Sequence, residues 1–129
     1  MLAVDTNIVI RYLTNDDARQ SSQARAFVNA NDIALTATVL LEADWVLRSA
    51  FRYPRHDAVA ALRAFAGLPT VSLDQPTLIA QAFDWALQGM DFADALHLAA
   101  SQQREAFVSF DRDLARIAKQ VSAPEVRRP

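Results

Sequence analysis

Four acidic residues of this 129-residue chain sit where a carboxylate needs a physical reason. Asp5 ends the apolar run Leu2-Ala3-Val4, and Asp111 ends Phe107-Val108-Ser109-Phe110. Glu42 stands within Val39-Leu40-Leu41-Glu42-Ala43, and Asp94 within Phe92-Ala93-Asp94-Ala95-Leu96. Burying a carboxylate uncompensated costs several kcal/mol. An arginine partner, a backbone cap or a bound cation each offset that cost. Few bases flank these motifs, which favours the cation. Two carboxylates about 4 Å apart repel by about 1 kcal/mol in water and by about 4 kcal/mol at an effective dielectric near 20. A divalent ion reverses the sign, and all-oxygen ligands select Mg²⁺ or Mn²⁺ over zinc.

The charged set is skewed in the same direction. Of 15 acids, 12 are Asp, and of 13 bases all but Lys119 are Arg. Asp favours caps, turns and metal sites, while the planar fork of Arg suits phosphate. The formal net charge of −2 excludes a blanket basic surface but leaves room for a local patch. Cysteine is absent, so disulfides, zinc–thiolate sites and a thiol nucleophile are excluded. The start Met1-Leu2-Ala3-Val4-Asp5 does not read as a signal peptide. The longest uncharged apolar stretch, 33–41, is far short of the roughly 18–20 residues of a membrane span. A cytoplasmic location, away from any membrane, is the expectation.

Strands alternating with helices must position these acids. Leu2-Ala3-Val4, 33–36, 71–73 and 106–110 read as short strands, with an edge strand starting at Val121. Helices are expected over 8–13, 21–30, 39–51 with Thr38 as N-cap, 57–65, 76–87, 91–103 and 113–119. The 39–47 stretch is apolar on most sides, which implies burial on more than one face and contact with another subunit. Trp45, Phe51, Phe83 and Trp85 fit core or interface positions. The alternation implies an α/β domain with a mostly parallel sheet of four to five short strands, spanning 1–129 as one domain. Sites in such sheets form beyond the carboxyl ends of the strands, where Asp5 and Asp111 fall.

Taken in order, Val4-Asp5-Thr6-Asn7-Ile8, Leu40-Leu41-Glu42, the run from Asp91 to Ala100 and Ser109-Phe110-Asp111-Arg112-Asp113 resemble the PIN-domain ribonucleases, and among them the VapC toxins of bacterial toxin–antitoxin pairs. The resemblance spans the chain. It implies a three-layer α/β/α fold and a Mg²⁺- or Mn²⁺-dependent endoribonuclease that inhibits translation once released. It further implies a homodimer and a VapB-type antitoxin. Asp5, Glu42, Asp94 and Asp111 match the family's four acids in turn, with Asp5, Asp94 and Asp111 as metal holders. Asn7 and Ser109 match small polar positions near the metal; Asp91 is either an outer helper or an N-terminal acid that the helix dipole favours, and Asp113 is a secondary candidate. Arg11, Arg48 and Arg112 are candidates to grip RNA phosphates. Magnesium disfavours imidazole, so His97 is read as a packing residue. A phosphatase of the HAD type would need a second Asp where Asn7 stands. A non-catalytic α/β interaction module whose acids are caps is the remaining alternative.

Overall fold

Short apolar runs bounded by polar caps give seven helices and five strands of two or three residues each in a computed structural model that describes residues 1–129. The chain divides into two units, Met1–Pro76 and Thr77–Pro129.

The first unit holds β1 (Leu2–Ala3), α1 (Thr6–Leu13), α2 (Ala18–Ala30), β2 (Ile33–Leu35), α3 (Ala37–Ser49), α4 (Arg55–Ala66) and β3 (Val71–Leu73). Its strands form a parallel sheet in the order β1-β2-β3, with Leu2 opposite Ile33, and Ile33 opposite Val71. The central strand is the driest: Ile33 and Leu35 are fully buried. Such all-apolar strands are what a parallel sheet covered by helices requires. The helices bury Val9, Ile10, Val28, Leu40, Leu47, Leu62 and Phe65. The Tyr12 ring meets Phe65 edge-on at 5.1 Å between centroids. The α1–α2 joint is sewn by side chains. The Thr14 hydroxyl donates to the Ile10 carbonyl at 2.8 Å, and the Ser21 hydroxyl to the Thr14 carbonyl at 2.9 Å.

The second unit holds most of α5 (Pro76–Leu87), then α6 (Phe92–Ala100), β4 (Phe107–Val108), α7 (Arg112–Gln120) and β5 (Val126–Arg127). β4 and β5 pair in parallel, Phe107 opposite Val126, with α7 as the crossover. Gly89 turns the chain between α5 and α6 at φ +117, a conformation that side chains rarely adopt. Phe83 and Phe92 stack across that turn, with centroids 5.4 Å apart. On the surface, a 3.0 Å hydrogen bond from Arg127 holds the Glu125 carboxyl below its ordinary range.

The α/β class with parallel strands agrees with the sequence reading, but the details differ. The five strands are paired as a set of three and a set of two. Helix α3 begins two residues earlier than expected, because Thr36 and not Thr38 is extended (φ −94, ψ 157) and its hydroxyl accepts from the Val39 N–H. Helix α6 stops at Ala100, since Gln102, Gln103 and Arg104 offer no apolar face to bury. The 106–110 strand shrinks to two residues, and no strand starts at Val121. Residues 121–123 instead close α7, with left-handed Ser122 and an Ala123 N–H bond back to the Ala118 carbonyl at 2.9 Å.

The cap assignment has a measurable consequence. Thr36→Ala should lower the unfolding free energy by about 1 kcal/mol in urea titration, whereas Thr38→Ala should change it by only about a few tenths.

Candidate functional site

The sequence-predicted acids fall into two groups. In the first unit, Asp5 is the N-cap of α1, and its Oδ1 accepts from the Thr6 N–H at 2.7 Å. Its Oδ2 has no protein partner, and the residue is exposed. Asn7 stands exposed in the first turn of the same helix. Glu42 is exposed on α3 and makes no ion pair. The expectation that an apolar stretch buries Glu42 is therefore corrected. Helix α3 turns Thr38, Glu42, Trp45 and Ser49 outward, and Trp45, expected in the core or at an interface, is 63% exposed and so lies outside the core.

The buried acid of α3 is one the sequence reading missed. Asp44 is 1% exposed, and its Oδ2 lies 3.0 Å from Nη2 of Arg48 one turn on. The signal was present as an Asp and an Arg four residues apart, the spacing of a helical ion pair. An arginine, not a cation, is the partner of this buried carboxylate. The same contact engages Arg48, which was expected to face RNA.

In the second unit, Asp91 caps α6, its Oδ2 accepting from the Asp94 N–H at 3.3 Å, and both residues are half-buried. Asp111 caps α7, and its Oδ1 accepts from the Asp113 and Leu114 N–H groups at 3.0 and 3.1 Å. The Asp111 N–H donates in turn to the Ser109 hydroxyl at 3.0 Å. Asp111 and Asp113 are exposed, and Arg116 approaches Asp113 at 3.7 Å. Arg112 is exposed and makes no ion pair. His97 is exposed with its ring parallel to Phe107, centroids 6.5 Å apart.

Within neither unit do three acidic or histidine side chains gather to hold a metal ion. The candidate donors of each unit are carboxylate oxygens, which suit a hard divalent cation. In Asp5 and Asp111 one oxygen serves the backbone while the other has no protein partner. No helix is long and apolar enough to cross a membrane.

Residues 2–120 match the family model of the PIN domain. The chain belongs to the PIN domain family. The match runs through both units and contains all four candidate acids of this PIN domain. No curated protein matches the chain. PIN domains are generally Mg²⁺-dependent nucleases, so the match directs attention to phosphodiester chemistry and away from HAD-type phosphatases.

The two acids of α3 should separate on stability. Asp44→Ala leaves the Arg48 charge partly buried and should cost about 2–4 kcal/mol, below the full buried-pair range because Arg48 reaches solvent. Glu42→Gln should leave the thermal midpoint unchanged. Thermal denaturation of both variants checks this.

Proposed function

We propose that this PIN domain is a Mg²⁺- or Mn²⁺-dependent endoribonuclease, acting as the toxin of a VapC-type toxin–antitoxin pair. The observation that carries the reading is the family match over 2–120, which includes Asp5, Glu42, Asp94 and Asp111 in order. Its unbroken course supports taking 1–129 as one domain. The VapC-like character rests on the motifs around those four acids. The inferred partners are RNA, a VapB-type antitoxin and a second copy of the chain. Exposed Trp45 and Phe110 support surfaces that a protein partner covers. A cytoplasmic setting accompanies that role.

In this mechanism Asp5, Asp94 and Asp111 would hold the ion. When bound, a divalent cation lowers the pKa of water and neutralises charge on a phosphoryl oxygen. The chain's own residues do the rest. Glu42, exposed and unpaired, orients the attacking water and takes its proton. The water oxygen bonds to phosphorus, the bond to the leaving ribose oxygen breaks, and that oxygen takes a proton from solvent. Ser109 fixes the Asp111 backbone and thereby the direction of its carboxylate. Asn7 supplies an amide beside Asp5. Arg112 has its guanidinium available to steady a phosphate.

A second reading has an observation of its own. Asp5, Asp91 and Asp111 are all N-caps, as a non-catalytic α/β module would also use them. Asparagine separates the two, because it caps a helix as well as aspartate does but carries no charge. Asp5→Asn and Asp111→Asn should therefore keep the wild-type melting temperature. Each should cut RNA at least about a hundredfold more slowly, and excess EDTA should abolish cutting by the wild type. Cutting that persists in EDTA, or in both variants, would sink the metal-dependent reading. Absence of Mg²⁺-dependent cutting by the wild type would favour the module.

A further inference from the structure

Helices α1 and α2 are joined by only the four residues 14–17, and the faces they turn toward each other leave an open groove of about 520 Å³. That volume lies within the roughly 300–1,000 Å³ of small-ligand sites. The α1 side contributes Asn7, Ile8 and Arg11, and the α2 side Gln20, Gln23, Ala24 and Phe27. These positions repeat at helical spacing, so each set forms one stripe. Buried Ala24 and half-buried Ile8 make an apolar floor.

The rim is polar in a particular way. Arg11 clamps the end near the turn: its Nε donates to Gln20 Oε1 at 2.7 Å, and its Nη1 contacts both oxygens of Asp16 at 3.1 and 3.2 Å. Its Nη2 has no protein partner. Asn7 and Gln23 make no side-chain hydrogen bond, and Gln20 keeps its amide nitrogen unengaged. Phe27 is 37% exposed, well beyond what a filled core position shows. Three carboxamides, an aromatic face and an arginine donor around one groove are the tools for an unpaired base: edge hydrogen bonds, stacking and a phosphate contact. No acidic side chain lines the groove. Asn7 lies two residues from Asp5 and one turn, about 6 Å, along α1 from Arg11. The groove therefore opens at the helix end that Asp5 caps.

We propose that this α1–α2 groove is a nucleobase-binding subsite, which holds an unpaired base of the RNA strand next to the bond being cut and thereby sets sequence preference. The proposal rests on the nuclease reading above. A protein helix is a poorer occupant. It needs a continuous apolar stripe, and here Ile8, Ala24 and Phe27 are interrupted by amides.

The test uses the full chain and a fluorescently labelled six-nucleotide RNA of mixed sequence, with binding read by anisotropy in EDTA. Phe27→Ala and Gln23→Ala should each weaken binding by about tenfold with unchanged melting temperature. With Mg²⁺ and a random RNA pool, both should flatten the base preference next to the cut. Wild-type affinity and preference in both variants overturn the subsite while the nuclease reading stands. A wild type that cuts no RNA removes the nuclease reading, and the anisotropy then decides the subsite alone. Failure of the wild type to bind RNA overturns it. So does an effect confined to self-association in sedimentation, which assigns the groove to a protein.

Discussion

An aspartate that caps a helix is held by one oxygen and offers the other. This constraint organises the candidate chemistry of the molecule. The first N–H groups of a helix have no partner within it, and a carboxylate at the preceding residue satisfies them. Asp5 does this for α1 and Asp111 for α7. Each closely follows a short strand, so backbone geometry carries the carboxylate past the strand's carboxyl end. The capping bond limits the side chain's rotation, and the second oxygen is presented in a defined direction. A hard cation asks for such donors, oriented before it arrives.

Helix α3 shows how one element separates stability from chemistry. Its inner face carries Leu40, Ala43, Asp44 and Leu47, and its outer face Glu42 and Trp45. Asp44 is held by Arg48 and belongs to the architecture. Glu42 is unpaired and belongs to the solvent face, where substrate can reach it. Two acids two residues apart thus have opposite environments, because a step of two residues turns a helix by more than half a revolution. The nuclease reading uses only the outward one. The groove between α1 and α2 extends the same division. Its floor is shared with the core of the first unit, while Asn7, Gln23 and the amide nitrogen of Gln20 on its rim make no hydrogen bond within the protein.

Much of this was legible along the chain. Alternating apolar runs and caps place the seven helices and the first four strands close to where they occur, since these signals are local. The helix from Pro76 to Leu87 has both observed ends, because proline suits a first turn and Gly89 follows as a turn residue. Ends decided by backbone conformation were less legible. Thr36 and Thr38 are equally good caps by type, and only the extended backbone at Thr36 selects it. Likewise Val121 is apolar enough for a strand, but left-handed Ser122 commits it to the end of α7.

The order of strand-end aspartates, their motifs and the α/β class follow from the sequence alone, as each depends on residues near one another in the chain. Which acid of α3 is buried, how the five strands pair, and that Arg11 and Arg48 are engaged by acids were decided only in three dimensions. The physical reason is the same each time. A pattern of residue types says that a face or an edge exists, but the neighbour that covers it comes from elsewhere in the chain.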